Sequence, residues 1–385
     1  MPEQPAFSLP THPLDILAST MDLMLLNPMN AMKWTPPLST LAAACRGLSG
    51  EDLRTSLSCL AAHIAVRNQV MLLGQHEVDE ETQTAALFGF LANALSMVTL
   101  LAAGYTTSLT QKIPIPGCYW AHQKKLTEEP YTGADFGIIT DVGDGKVKLT
   151  LFQAKRPQQN QRFEDLRMTQ IVHSDKPIPS EDNVSAWQQM KRLQEIKTFL
   201  AQGNNINTIE DTSFYDGNFW DYVINHGPSS LFVKDYKYEQ STAFLATELI
   251  GWLQSRQGSW CYYAQWSYGK LECPWAISVI AALGLNNGHN AISRSLPFVN
   301  VLAQALSPKE TDIGLIIPFD DVKYWASTIS SLMPGIQWGS SAESAEGAAN
   351  LINAISITQR EIQQIDMQQS TTLAEDRNMQ SGPKI

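Results

Sequence analysis

A lone aspartate, followed one strand later by Gln-x-Lys, is the set of side chains in this sequence best suited to chemistry. Residues 133–139 read Gly-Ala-Asp-Phe-Gly-Ile-Ile, and residues 149–155 read Leu-Thr-Leu-Phe-Gln-Ala-Lys. Asp135 offers a carboxylate, Gln153 a carbonyl-bearing amide and Lys155 an ammonium. An oxygen-ligated divalent cation needs at least one carboxylate plus carbonyls and waters. A lysine beside it can orient a water or stabilise charge developing on a phosphate. The set therefore suits a divalent metal and a phosphodiester. The plain alternative is a surface hairpin with an exposed Asp–Lys ion pair. The apolar stripe that leads to Gln153 and Lys155 argues for an inward face instead.

A hairpin must position these groups. Asp144-Gly145 is a strong turn signal, with apolar strand residues on either side. Side chains alternate along a strand, so Val147, Leu149, Leu151, Gln153 and Lys155 share one face, and Lys146, Lys148, Thr150 and Phe152 the other. Gln153 and Lys155 then project together, about 6–7 Å apart along the strand. Asp135 stands nine residues before Asp144, and Lys155 ten after Gly145, so antiparallel pairing brings the two ends together.

Gly133-Ala134-Asp135 with Phe152-Gln153-Ala154-Lys155 resembles the PD-(D/E)xK, or restriction-endonuclease-like, nuclease superfamily, and within it the Gln-x-Lys branch found among restriction and phage-defence nucleases. The resemblance covers the hairpin and the helix before it. It implies Mg2+- or Mn2+-dependent phosphodiester hydrolysis. Asp135 would bind the metal, Gln153 would supply a metal or positioning contact, and Lys155 would act on the water or phosphate. Gln153 stands where the superfamily name has an acid, which removes one negative charge. A Glu on the preceding helix completes the site in that family.

Glu80 is the first candidate for that carboxylate, as catalytic and metal-binding residue. Asp79 reads as an N-cap, with Glu80 and Glu81 in a first helical turn where acids suit the dipole. Glu80, Thr84, Leu87, Leu91 and Ala94 follow helical spacing on one face. Glu81 is the alternative, on a face with Ala85, Phe88, Ala92 and Leu95, and Glu77 is third.

Composition sets outer limits. The chain has 385 residues, 44% of them hydrophobic, enough for one large or two ordinary domains and against wholesale disorder. A net charge of −11 is unusual for a protein that grips nucleic acid, because phosphate binding is driven by Lys and Arg. A local basic strip would have to serve: Lys146, Lys148, Arg156, Arg162, Arg167, Lys191 and Arg192, with Lys155 among them. The charge balance also points to oligomerisation or to a partner protein of the same system. Five cysteines without a CxxC pair and seven scattered histidines speak against a zinc site or a disulfide framework and fit a reducing cytoplasm. No secretory signal is evident after Met1-Pro2-Glu3. The stretch from Thr84 to Gly104 is long and mostly apolar. Small and polar residues dilute it, and a buried helix explains it better than a membrane span.

Along the chain, residues 1–75 read as a helical N-terminal extension, 76–235 as the nuclease-like core, 236–368 as a C-terminal accessory α/β region and 369–385 as a disordered tail. Helices are expected at Leu14 to Leu26, from the capping box at Ser49 to near Gly74, from Glu80 onward, at Ser185 to Gln202, Ser241 to Ser255, 320–333 and Ala342 to Gln368. Pro-rich turns are expected at 114–130, and an exposed Gln-rich loop at 157–179. Strands are expected at the hairpin, Phe219 to Ile224, Trp260 to Trp266 and Ile313 to Phe319. Trp260, Trp266, Tyr268 and Trp275 offer faces for bases to stack on, although core packing suits them better. The fold expected is α/β in a mixed α+β sense: a restriction-endonuclease-like mixed sheet flanked by helices. The function expected is a metal-dependent endonuclease acting on DNA in bacterial phage defence or restriction. The alternatives are an inactive nuclease-fold scaffold subunit and a nuclease toxin effector.

Overall fold

A computed structural model of the chain describes residues 50–74, 76–105, 118–123, 134–144, 146–155, 191, 195–200, 202–213, 215, 217, 240–255, 259–266, 274–283, 295–318 and 336–340. They form a mixed α+β fold. Two long helices come first, α1 (Gly50–Leu73) and α2 (Glu80–Tyr105), followed by strands β1 (Cys118–Gln123), β2 (Phe136–Gly143) and β3 (Lys146–Lys155). After helix α3 (Gln240–Ser255) come β4 (Cys261–Gln265), β5 (Trp275–Ser278) and α4 (Val279–Leu283). The remaining elements are β6 (Leu296–Pro297), α5 (Phe298–Leu306), β7 (Leu315–Pro318) and β8 (Ile336–Ser340).

All eight strands belong to one sheet, in the order β6-β5-β4-β3-β2-β1-β8, with β7 also pairing β3. Strands from both sides of residue 235 therefore share it. β1, β2 and β3 form an antiparallel meander, and β4 lies parallel to β3. One edge of β3 has two partners: its turn-proximal half pairs β7 and its distal half pairs β4. The turn into β3 follows the sequence signal. Gly143 faces Lys146, and Asp144 takes the left-handed backbone (φ 52°) that an Asp-Gly hairpin turn requires.

Alternation along β2 and β3 sends two sets of side chains to opposite faces. Phe136, Ile138, Phe152 and Ala154 join Tyr262, Ala264 and Trp266 in a core closed by α1, α2 and α5. A set of aromatic rings packs together within it. Phe136 stacks on Phe152 with centroids 4.8 Å apart, and Phe298 meets Trp266 edge-on at 5.0 Å. The opposite face carries Leu149, Leu151 and Gln153, and α3 packs on that side, its Phe244 edge-on to Tyr263 at 5.3 Å. α2 begins where capping chemistry puts it. Asp79 Oδ1 accepts from the Thr82 N–H at 2.8 Å, and these bonds hold the Asp79 carboxyl below its ordinary range. Leu87, Leu91, Ala94 and Val98 of α2 are buried, so its apolar length is spent on the core. No described helix is long and apolar enough to cross a membrane.

Several expectations are revised. Cys118–Gln123, within the stretch expected to hold Pro-rich turns, is strand β1. α4, α5, β5, β6 and β8 have no counterpart in the sequence reading. α5 follows Pro297, and seven of its nine residues are buried, so in the sequence it reads as a short apolar run. The aromatic strand is as expected, and Trp260 and Trp266 are wholly buried in the core rather than presented to bases. Residues 195–200 are helical, with Ile196 and Leu200 buried. The segments at 14–26, 157–179, 219–224, 320–333, 342–368 and 370–385 lie outside the described residues, as does Tyr268.

Candidate functional site

The distal end of the β2–β3 hairpin gathers three of the four expected site residues. The register Phe136↔Phe152 sets Asp135, one residue before β2, beside Gln153. The Asp135 N–H donates to Phe152 O at 2.8 Å. Its carboxylate Oδ2 then accepts from the Ala154 N–H at 2.7 Å. A side chain thus continues the ladder where the β2 backbone turns away. Asp135 is half-buried and is fixed directly to the backbone between Gln153 and Lys155. By alternation Asp135, Gln153 and Lys155 belong to the same face.

Gln153 is wholly buried, and neither its Oε1 nor its Nε2 has a hydrogen-bond partner. Its neighbour across the parallel seam is Tyr263. Burial pushes the Tyr263 phenol well above its ordinary range, so it stays a neutral hydroxyl. An amide with no partner costs roughly 1–3 kcal/mol, and a sequence selected for stability alone would replace it with an apolar residue. Lys155, half-buried, ends β3. Its carbonyl accepts from the Trp266 N–H at 3.0 Å.

The helical carboxylate stands differently. α2 lies on the Phe136–Phe152 side of the sheet, opposite to the face of Gln153. Its first turn is nevertheless tied to the same sheet end. The Trp266 indole Nε1 donates to Thr84 Oγ1 at 3.2 Å, and Thr84 Oγ1 donates to Glu80 O at 2.8 Å. Glu80 is half-buried and leads the stripe of Thr84, Leu87 and Leu91, whereas Glu81 is exposed. Of the two, Glu80 is the better placed. Among the described residues no three His, Cys, Asp or Glu side chains form a metal-binding group.

The basic strip is not assembled as expected. Lys148 is wholly buried. Its Nζ donates to Gln304 O (2.6 Å) and Lys309 O (2.8 Å), tying β3 to the end of α5 and the turn beyond. Burial pulls this ammonium down to about 8. Lys148 is therefore a structural lysine and no DNA contact. Lys146 is exposed but pairs with Glu310 at 3.4 Å. It sits at the turn end of β3, roughly 30 Å from Lys155 by strand rise. Lys191 pairs with Glu195 at 4.0 Å. Arg156, Arg162, Arg167 and Arg192 lie outside the described residues.

One ionisable group escaped the sequence reading. Glu248 of α3 is wholly buried, its Oε2 accepting from the backbone N–H groups of Trp260 and Cys261. The available signal was a single acid in an otherwise uncharged helix of 16 residues. Comparison with protein-family models, curated proteins and solved structures yields no match.

Proposed function

We propose that this chain is a divalent-metal-dependent endonuclease that hydrolyses phosphodiester bonds, acting on DNA within a bacterial defence or restriction system. The observation that carries the reading is the wholly buried, unpartnered amide of Gln153 beside the ordered carboxylate of Asp135. An orphaned buried polar group of this kind marks a place kept for a ligand rather than for stability. The donor set offers Mg2+ or Mn2+ one carboxylate and one amide carbonyl, with Asp135 and Gln153 as the holding residues; Glu80, the expected second carboxylate, starts α2 on the other side of the sheet. Such an ion, when bound, polarises a phosphoryl oxygen. Lys155 holds a positive charge at the end of β3, where it orients water or meets charge developing on the phosphate. The sequential helix, hairpin and parallel β4 agree with the restriction-endonuclease-like order.

Incubation of the purified protein with plasmid and Mg2+, against an EDTA control, tests the reading. Asp135→Ala and Lys155→Ala should each lower cleavage by on the order of 10²-fold or more with the thermal transition retained. Either variant cleaving at the wild-type rate with the same metal dependence removes the assignment. Complete burial of Gln153 favours a second reading, a nuclease-type fold kept for partner binding. That reading follows if neither Mg2+ nor Mn2+ supports cleavage by wild-type protein.

A further inference from the structure

Glu248 is the one ionisable side chain of α3. Its Oε2 accepts from the Trp260 N–H at 3.1 Å and the Cys261 N–H at 2.8 Å, where the chain enters β4. The Trp260 indole Nε1 donates back to Glu248 O at 3.2 Å. Trp260 O in turn accepts from the Leu151 N–H at 2.8 Å, so this stretch is locked to both α3 and β3. Gly251, one turn further along α3, makes room for the indole.

Among the described residues the surroundings supply no counter-charge. The titratable groups among those residues that feel the charge of Glu248 are the Cys261 thiol and, from the other face of β4, the Tyr262 phenol, both raised by burial first and by that charge second. Asp312, in the turn before β7, also acts on Tyr262. The other described elements packed most closely on α3, namely α4 and β7, carry no titratable side chain. No Lys or Arg among the described residues offsets the carboxylate.

We propose that Glu248 is a proton-operated latch between α3 and the start of β4. With the carboxyl protonated the seam stays shut. Ionisation favours states in which α3 lifts and water reaches the carboxylate, because a buried unpaired charge gains most from hydration. The seam flanks the distal half of β3, and the latch stands whether or not the chain cleaves DNA.

Burial raises the Glu248 carboxyl to about 7, and its backbone hydrogen bonds oppose that rise only in part. In an opened chain it returns toward 4.5. Below 4.5 both states hold the proton and opening is independent of pH. Between the two values opening becomes easier by up to about tenfold per pH unit, and above the higher one it levels off.

Amide hydrogen exchange of α3, Trp260 and Cys261 between about pH 5 and about pH 8, corrected for the intrinsic base-catalysed rate, reads this directly. The opening constant should climb in the wild type, by up to about tenfold per unit, and stay level in Glu248→Gln. An infrared band of a protonated carboxyl at about pH 6 in the wild type gives a check that needs no variant, since exposed carboxyls are ionised there. A level wild-type profile, an equal slope in Glu248→Gln or absence of that band each overturns the proposal.

Discussion

A single methyl group added at Gly251 should unsettle the joint between α3 and β4. In a helix interior, alanine is favoured over glycine by about 1 kcal/mol, so on propensity alone Gly251→Ala stabilises. Packing opposes it. A Cβ at Gly251 would lie 2.1 Å from Trp260 Nε1, 2.5 Å from Cε2 and 2.9 Å from Cδ1. Trp260 is wholly buried, and its indole is held by the hydrogen bond to Glu248 O, so the clash is with a side chain fixed in place. Overpacking of this kind costs about 1–3 kcal/mol, and displacing the indole from Glu248 O forfeits roughly 1 more. The net is a loss of about 1–3 kcal/mol. Gly89 of α2 is the control, exposed and with nothing within 4 Å of the place its Cβ would take. Gly89→Ala should keep the propensity gain of up to about 1 kcal/mol. Urea denaturation of the two variants, compared at unchanged m, gives the two differences with opposite signs. A Gly251→Ala protein as stable as the wild type refutes the packing argument.

The candidate site makes a second prediction. Gln153→Leu should raise stability by about 1–3 kcal/mol, because it removes a buried amide without partners, while abolishing metal-dependent cleavage. A destabilised Gln153→Leu protein would mean the amide is satisfied in solution. Lys148 makes a third. Its folded value of about 8 lies below the ordinary 10.5, so the folded chain gives up this proton first. Stability should therefore rise as pH climbs from the lower to the higher value. Cys261, Tyr262 and Tyr263, all raised by burial, titrate in the opposite sense, so the Lys148 contribution is the difference in slope of the denaturation midpoints between wild type and Lys148→Met, and equal slopes would refute it.

The hairpin was legible because its signals are local. Asp144-Gly145 specifies the turn, and period-two alternation then decides which side chains accompany Gln153. The start of α2 was legible for the same reason, since Asp79 carries its own capping chemistry. Lys148 was misread as a DNA contact because alternation gives the face but not what covers it. The cover is the end of α5, more than 150 residues away in sequence. β1 was hidden by prolines that flank it, and β8 by the distance to its partner. Glu248 was passed over since a lone acid in a helix usually faces solvent. Only the approach of Trp260 and Cys261 turns it inward.

The shared edge of β3 bears on how the chain is made. On the ribosome the hairpin can close as soon as Lys155 emerges, yet Lys146–Leu149 wait for Leu315–Pro318 to pair their other edge. β1 likewise waits for Ile336–Ser340. Until then a nascent chain exposes two stretches of unpaired strand, the state in which foreign strands add most readily. Such long-range closures slow folding. Fragments ending before residue 315 should accordingly aggregate even though they contain every candidate site residue, and expression trials of the hairpin region need the C-terminal strands included.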